Sequence, residues 1–213
     1  MHGADARPVA AGYDVLAPRW SDWMASIDGE PSQRFLDGLD RRLDDGARLL
    51  DLGCGNGENA RRLANRFDVV GVDVSEEQLR LARAAAPGAR FMHADFADLD
   101  LPDGSFDAVV ALYSIMHVPR SRHPRLFASI LRWLRPGGFF LASLSHVGGP
   151  DRTEPWLGVD MFFSGFDAAT NSRLVREAGF EVLFDELVWM QEPESRAAFL
   201  WILARRPAGA VVD

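Results

Sequence analysis

The sequence contains no lysine, and all 23 of its lysine-or-arginine positions are arginine. A lysine Schiff base and the phosphate-binding lysine of a P-loop are therefore excluded. The single cysteine, Cys54, excludes a disulfide within the chain and any cysteine-rich metal site. No apolar run approaches the roughly 18 residues that a membrane-spanning helix needs. The first residues show no basic segment followed by an apolar one, so we expect no signal peptide and a cytoplasmic protein.

The charge balance is acidic, with 31 acidic residues and a formal net charge of −8. Nucleic acids and anionic membranes bind basic surfaces, so we expect neither of them as a partner. The chain has 213 residues and is 47% hydrophobic, which is typical of one globular domain with a sizeable core. We expect this domain to act as a monomer or a homodimer.

Predicted strands and helices alternate after a helical N-terminal part at residues 13–24 and 32–43. Residues 105–115 are mostly apolar, as is typical of a strand buried on both faces of a parallel sheet. Five such strands therefore predict a parallel sheet with helices on both faces. Residues 181–190 and 196–206 predict a strand hairpin that adds one antiparallel strand at the sheet edge.

The order of these elements divides the chain into four parts of a single domain over residues 1–213. Between the fifth strand and the last helix lies a segment without a regular pattern, rich in aromatic residues, which we expect to be an irregular substrate lid. The four parts are an N-terminal helical cap (1–45), a cofactor-binding core (46–146), the lid (147–166) and a C-terminal helix with the strand hairpin (167–206).

A glycine-rich loop follows the first predicted strand, in the stretch LLDLGCGNGENARRLA at residues 49–64. In an open α/β sheet, ligands bind beyond the carboxyl ends of the strands, where this loop lies. The dinucleotide fingerprint G-x-G-x-x-G fails here, because Glu58 occupies the place of the third glycine. Asp51 and the loop amides instead complement a ligand that carries an ammonium, a carboxylate and a sulfonium but no phosphate. S-adenosylmethionine is such a ligand.

Three further features follow the next strands, in register with this loop. Asp73 ends the second strand, at the position from which a carboxylate binds ribose hydroxyls. Asp95 and Phe96 follow the third strand, where they could bond the adenine amino group and pack on its ring. Residues 112–114 follow the fourth strand and could cover the other face of the adenine. Together these positions favour a ligand that contains a nucleoside.

At this point the chain resembles the class I S-adenosylmethionine-dependent methyltransferases of the small-molecule type. The matching stretches are LLDLGCGNG (49–57), VVGVDVSEEQLRLAR (69–83), ARFMHADFADLDLPDGSFDAVVALYSIMHV (89–118) and LRWLRPGGFFLASL (131–144). The resemblance implies an α/β fold with a Rossmann-like, seven-stranded, mostly parallel sheet. It also implies the strand order 3-2-1-4-5-7-6, with strand seven antiparallel.

The resemblance also implies roles for the residues that match the family's motifs, with S-adenosylmethionine as the cofactor. The first loop meets the methionine part of the cofactor, and the later strand ends meet its ribose and adenine. An N-terminal segment closes over the cofactor in many members, although tyrosine often stands where this chain has Trp20. The implied cofactor-binding residues are Tyr13, Trp20, Asp51, Gly53, Cys54, Gly55, Asp73, Val74, Asp95, Phe96 and Leu112.

Methyl transfer from a sulfonium is an in-line displacement with a neutral leaving group, so a base is needed only for a protonated nucleophile. His146, at the end of the fifth strand, and His117, after the fourth, are candidate bases, and a structural role is the alternative for each. No His and acid spacing indicates a metal site, and we predict no metal. The candidate substrate residues, which could equally form a satellite core, are Tyr113, Trp156, Met161, Phe162 and Phe163.

These observations predict an S-adenosylmethionine-dependent methyltransferase that acts on oxygen or nitrogen of a small-molecule substrate. Three alternatives stay open at this point. The chain could methylate a peptide or tRNA, it could be a noncatalytic cofactor-binding module, or it could be an NAD-type oxidoreductase of similar fold.

Overall fold

The computed structural model describes residues 6–209, so both ends of the predicted domain, 1–5 and 210–213, lie outside the described residues. Seven strands form the central sheet: β1 (Arg48–Leu52), β2 (Asp68–Asp73), β3 (Arg90–His93), β4 (Phe106–Ala111), β5 (Leu134–Ser145), β8 (Glu181–Gln191) and β9 (Arg196–Arg205). Their order is β3-β2-β1-β4-β5-β9-β8. The first five strands pair in parallel, and β9 runs antiparallel to both β5 and β8.

This topology confirms the predicted seven-stranded sheet. The strands expected as sixth and seventh are β8 and β9, because two further strands precede them in the chain and shift the numbering. The pairing of β9 with β5 runs from Phe139 opposite Arg205 to Ser145 opposite Phe199. The last hairpin of the chain therefore closes the sheet, with β8 at its edge as predicted.

Helices cover both faces of the sheet. Because successive strand residues point to opposite faces, Leu49 and Leu50 of β1 enter two different cores. Leu49 lies in one core with Leu36, whereas Leu50 lies in the other with Phe127 and Val175. The helices are α1 (Ala6–Ala25), α2 (Ser32–Asp40), α3 (Glu58–Leu63), α4 (Glu76–Ala85), α5 (His123–Trp133) and α6 (Ala168–Glu177).

Two helix boundaries illustrate how local sequence sets the elements. Ser75 caps α4, and its hydroxyl accepts a hydrogen bond of 3.1 Å from the Gln78 N–H. Helix α5 ends at Trp133, three residues before Pro136, and Leu134 is already extended with ψ 146°. Proline has no N–H to donate inside a helix, and it disfavours the helical conformation of the residue before it. Helix α5 therefore ends before Pro136.

The segment expected to be irregular, 147–166, instead forms an antiparallel hairpin of β6 (Gly149–Trp156) and β7 (Val159–Gly165). The two residues between these strands, Leu157 and Gly158, both have positive φ values, 49° and 80°. Positive φ at both central residues gives the type I′ turn, whose twist matches that of the strands. The usual Asn-Gly signal is absent because leucine stands first, and the prediction missed the turn for this reason.

The new hairpin packs mainly against α1 and meets the central sheet at its end, where Gly165 lies against Ser145 of β5. A Cβ added at Gly12 would lie 2.7 Å from the Cε atom of Met161, so the helix and β7 approach closely at this glycine. Val9, Leu16, Met161 and Phe163 are buried together in this contact. The hairpin and α1 therefore form one cap, which we call the α1–hairpin cap.

We predict that Trp201→Ala lowers the free energy of unfolding by about 3–5 kcal/mol, the usual range for removing a large buried aromatic side chain. Trp201 on β9 is fully buried and stacks on Phe35 of α2, with ring centroids 4.3 Å apart. The matched control is Trp189→Ala on the neighbouring strand, since Trp189 is 49% exposed. Its expected cost is below about 1 kcal/mol. Equal losses for the two variants in urea unfolding would contradict this packing.

Candidate active site

A cavity of about 480 Å³ opens beyond the carboxyl ends of the first four strands, under α1. We call it the main cavity. Ten of the eleven residues expected to bind the cofactor lie on its wall. Those that line it are Tyr13, Trp20, Gly53, Cys54, Gly55, Asp73, Val74, Asp95, Phe96 and Leu112.

The glycine loop after β1 has little space on one side and a cavity on the other. A Cβ at Gly53 would lie 2.3 Å from the Cβ of Ser114, so any larger residue would push the loop away from the end of β4. Gly55 has φ +52° and has no atom within 3.9 Å of where its Cβ would stand. Its backbone conformation, rather than crowding, favours glycine there, and its open side faces the cavity.

Asp73 at the end of β2 fixes the position of this loop. One carboxylate oxygen accepts the Gly55 N–H at 2.8 Å, and the other accepts the Ser75 N–H at 2.9 Å. Burial raises the pKa of Asp73, and the backbone donors oppose that rise. The side chain is nearly buried but contributes to the cavity wall, where a ligand hydroxyl could reach it.

Asp51 lies under the loop and does not line the main cavity, in contrast to the other residues expected to bind the cofactor. It is 2% exposed, and its Oδ2 atom has no hydrogen-bond partner among the described residues. Burial, helped by the negative charge of Asp73, raises the pKa of Asp51 to about 7. The site thus holds two neighbouring buried acids.

Gln78 of α4 is a site residue that the sequence analysis missed. It is 1% exposed, its amide oxygen and nitrogen both lack a partner among the described residues, and it lines the main cavity. A buried amide without partners is costly, so its position indicates a ligand that bonds it. The available signal was a polar residue next to Leu79, on the face of α4 that the helical period turns inward.

The far end of the main cavity contains Asp95 and Phe96, the pair expected to meet adenine. The Asp95 carboxylate already accepts hydrogen bonds from the Ala97 N–H at 2.9 Å and from Arg122 at 3.2 Å. Its remaining lone pairs are the part available to a ligand. Phe96 is 7% exposed and belongs to the core that packs on α5, so only part of its ring can meet a ligand.

The α1–hairpin cap is tied to the loops below it by polar contacts. Asp14 of α1 accepts a hydrogen bond of 2.7 Å from the Ser75 hydroxyl and one of 3.2 Å from the Glu77 N–H. Asn56 of the glycine loop donates to the Ser21 hydroxyl at 2.7 Å. These bonds hold α1 across the cavity opening.

His117 joins three elements of the site. One ring nitrogen, Nδ1, lies 2.7 Å from the Phe162 carbonyl of β7, and the other, Nε2, lies 2.9 Å from the Tyr13 hydroxyl of α1. A carbonyl can only accept, so Nδ1 carries the proton and Tyr13 donates to Nε2. Burial lowers the pKa of His117 to about 4, which keeps the ring neutral near pH 7.

A second, smaller cavity of about 60 Å³ adjoins the main one, and we call it the aromatic cavity. Of the expected substrate residues, Tyr113, Trp156 and Phe163 line it. Met161 is fully buried in the cap, and Phe162 lies on neither wall. Five of the described residues line both cavities: Tyr13, Trp20, Met24, Tyr113 and His117.

The other candidate base, His146, lines neither cavity. Its ring packs on Trp189 with centroids 5.7 Å apart, at the edge of the sheet. Among residues 6–209, no group of three or more His, Cys, Asp or Glu side chains could hold a metal ion. No helix within the same residues is long and apolar enough to cross a membrane.

We predict that Asp51→Asn stabilises the protein above pH 7. The folded pKa of about 7 exceeds the unfolded value of about 3.9, so the folded chain retains a proton that the unfolded chain releases. The wild-type free energy of unfolding therefore falls from about pH 4 to pH 7 and stays low above that range. Asparagine removes this dependence, with an expected gain on the order of 2 kcal/mol at pH 8. Urea unfolding at pH 5 and pH 8 measures it.

The control for this prediction is Asp68→Asn, since Asp68 lies exposed at the other end of the strand that carries Asp73. This variant should keep the pH dependence of the wild type. If Asp51→Asn also keeps it, the titration assigned to Asp51 is wrong.

Comparisons with known proteins agree with this architecture. A family described as a methyltransferase domain matches residues 49–138. The 27-O-demethylrifamycin SV methyltransferase of Amycolatopsis mediterranei (strain S699) is 41% identical over 153 residues, which cover 61% of this chain and 55% of the relative. The chain therefore spans about half the length of that relative.

Two solved structures are similar over almost the whole chain. The 1,6-didemethyltoxoflavin-N1-methyltransferase of Burkholderia thailandensis, bound to 1,6-didemethyltoxoflavin and S-adenosylhomocysteine, has a TM-score of 0.72 at 22% identity and covers 95% of this chain and 88% of its own. The [4+2]-cyclase SpnF has a TM-score of 0.73 at 22% identity and covers 98% of both chains. At these identities the two structures show the fold alone. Together, the matched family model and the relative show that residues 49–138 form a methyltransferase domain.

Proposed function

We propose that this protein transfers a methyl group from S-adenosylmethionine to an oxygen or nitrogen atom of a small-molecule acceptor. The observation that carries the proposal is the junction of the two cavities. The main cavity joins the glycine loop to the ends of β2, β3 and β4, and the aromatic cavity opens beside it. The main cavity thus suits a nucleoside cofactor, and the apolar wall of the adjoining cavity offers contacts to an acceptor at the junction.

The residues of the main cavity fit S-adenosylmethionine. Asp73 on its wall and Asp51 under the glycine loop are neighbouring buried acids with raised pKa values, and the amide of Gln78 has no partner among the described residues. A ligand with positive charge and hydroxyl groups would relieve both features, whereas a pyrophosphate would be repelled by the acids. We assign the ribose to Asp73, the methionine part to the loop around Gly53 and Gly55, and the adenine to Asp95, Phe96, Val74 and Leu112.

When bound, S-adenosylmethionine supplies a methyl group that is attached to a positively charged sulfur. The leaving group is the resulting neutral thioether. The chain's own contribution is alignment and the exclusion of water. Holding two reactants in a near-attack geometry supplies about 7–11 kcal/mol of the barrier. The α1–hairpin cap provides this enclosure, because Trp20, Trp156 and Phe163 close the cavities from the solvent side.

Tyr13 and His117 stand where the two cavities meet. Because the Tyr13 proton is directed to His117, the phenolic oxygen keeps its lone pairs for an O–H or N–H group of the acceptor. We assign His117 the role of a positioning residue, since its neutral ring fixes the Tyr13 hydroxyl and ties it to β7 through Phe162. With a pKa of about 4, His117 is a poor base at neutral pH, which differs from the role expected from its sequence position.

The choice of oxygen or nitrogen rests on the names of relatives. The curated relative is named as a methyltransferase of 27-O-demethylrifamycin SV, and one structural neighbour is named as an N1-methyltransferase. Another neighbour of equal likeness is named as a cyclase, so the fold by itself does not fix the reaction.

The direct test is release of S-adenosylhomocysteine from S-adenosylmethionine in the presence of a panel of phenols and amines. We expect product release with at least one acceptor class, and mass spectrometry should show an acceptor heavier by one methylene unit. Tight binding of S-adenosylhomocysteine without turnover of any acceptor would favour a noncatalytic or cyclase-like protein. Binding of NAD without binding of S-adenosylhomocysteine would support an oxidoreductase instead.

Asp73→Ala should weaken S-adenosylhomocysteine binding by at least about tenfold, because it removes both a charged hydrogen bond to the ligand and the anchor of Gly55. Isothermal calorimetry measures this affinity. The control is Asp68→Ala on the same strand, whose carboxylate bonds Arg90 on the surface and should leave the affinity unchanged. An unchanged affinity in Asp73→Ala would remove this residue from the cofactor site.

Tyr13→Phe should lower kcat at least about tenfold at unchanged pH dependence, because the acceptor loses its hydrogen-bond partner.

In the wild type, we expect no loss of kcat from protonation of His117 between pH 6 and pH 8, since its pKa is about 4. His117→Ala should lower kcat because the Tyr13 hydroxyl is no longer held in position. The kcat of this variant should still not change between pH 6 and pH 8. An acid limb near pH 6.5 that disappears in His117→Ala would show that the histidine is a general base instead.

A further inference from the structure

Glu30 lies between α1 and α2, and its side chain reaches the wall of the main cavity. The backbone of this connection is fixed to the sheet, because Asp28 and Gln191 of β8 exchange two hydrogen bonds of 2.9 Å each. Gly29, with φ +72°, then turns the chain toward the cavity. The carboxylate therefore occupies a set position rather than the tip of a free loop.

One oxygen of Glu30 is held by the protein, and the other is not. Oε1 accepts hydrogen bonds from the Ser32 N–H at 3.1 Å, from the Ser32 hydroxyl, and from the Tyr113 hydroxyl at 2.6 Å. Oε2 accepts no hydrogen bond from the described residues, and no arginine among them forms an ion pair with Glu30. An oriented carboxylate on a cavity wall thus has one oxygen free for a ligand.

Tyr113, which orients Glu30, has a strained backbone. Its φ of +54° is unusual for a residue with a side chain and costs on the order of 1 kcal/mol. The surroundings maintain this conformation, since the Ser143 hydroxyl accepts the Tyr113 N–H at 2.7 Å and the ring packs edge-on against Phe199 at 4.9 Å. The strained backbone directs the hydroxyl toward Glu30, at the junction with the aromatic cavity.

The charge at this end of the site is negative and lacks a balancing cation. Glu192 adds a second carboxylate, on the wall of the aromatic cavity. Among the described residues, Arg122 is the only arginine on either wall, and it lies at the adenine end, where it bonds Asp95 and Asp98. Neutral His117 supplies no charge.

The remaining wall of the aromatic cavity is largely apolar. It consists largely of aromatic rings and thioethers, including Trp23, Trp156, Phe199 and Met190. Aromatic faces pack well on flat molecules and attract cations, whereas they give no hydrogen bond to an anion. The chemistry of this wall and the carboxylates beside it therefore favour an aromatic body with a positive or N–H-bearing group at the junction of the two cavities.

We propose that Glu30 determines the specificity for the acceptor and that the acceptor is an aromatic or similarly flat amine. The inference rests on the proposed methyl transfer and adds the substrate class to it. The free Oε2 atom of Glu30 accepts a hydrogen bond from an ammonium or N–H group of the acceptor, and the carboxylate of Glu192 adds to the attraction of a positive charge. The same two carboxylates repel phosphorylated or carboxylated acceptors.

Three indoles with side chains of similar length test this proposal: tryptamine, tryptophol and indole-3-propionate carry an ammonium, a hydroxyl and a carboxylate. Their binding to the complex of the protein with S-adenosylhomocysteine can be measured by saturation-transfer NMR titration. We expect tryptamine to bind at least tenfold more tightly than indole-3-propionate, with tryptophol between them. In Glu30→Gln, this preference should fall to about threefold or less.

The control is Glu186→Gln, because Glu186 of β8 pairs with Arg34 on the surface and lines neither cavity. Glu186→Gln should keep the full preference for tryptamine. The affinity of Glu30→Gln for S-adenosylhomocysteine should stay within twofold of the wild type, and this result would also show that Glu30→Gln is folded. A tenfold loss of that affinity would assign Glu30 to the cofactor's ammonium and overturn the inference. Equal binding of the three indoles, or no binding of tryptamine, would also overturn it.

Failure of the proposed function has a different signature. If the wild-type protein does not bind S-adenosylhomocysteine, the methyltransferase proposal fails, and the inference about Glu30 fails with it. If S-adenosylhomocysteine binds but the indoles show no charge preference, only the inference about the acceptor fails.

Discussion

The carboxylate of Asp73 fixes the shape of the site, because it joins the end of β2 to the glycine loop that follows β1. Its bond to the Gly55 N–H holds the loop open on the side of the cavity, and the close approach of Gly53 to Ser114 limits the loop on the other side. Both contacts depend on parallel strands that end at the same edge of the sheet. The main cavity is a consequence of this arrangement.

The same constraint explains why the site contains unfavourable groups. Asp51 and Asp73 are buried close together, and Gln78 is buried without partners among the described residues. In the free protein these groups lower the stability, and a ligand of complementary charge would recover that loss. The α1–hairpin cap then covers both this polar chamber and the aromatic one, and the hydrogen bonds of His117 to Tyr13 and Phe162 tie the cap to their junction. We regard the desolvation cost of these buried groups as the source of the affinity for a complementary ligand.

Much of the fold and of the main cavity could be predicted from the sequence, because periodicity and strand-end positions are local properties. The glycine loop, Asp73 and Asp95 follow from such patterns, whereas the strand order is implied by the resemblance to the methyltransferase family. The β6–β7 hairpin was missed because Leu157 takes a turn position that usually carries asparagine or glycine. Glu30 and Gln78 were missed because only tertiary packing brings a linker carboxylate and an inward amide to the same cavity.

The most direct test of this account is a crystal structure of the protein with S-adenosylhomocysteine. The account predicts ribose hydroxyls bonded to Asp73, adenine near Phe96, and the sulfur directed toward the junction at Tyr13 and Tyr113. A ligand bound outside the main cavity, or a main cavity closed by the protein's own side chains, would contradict it.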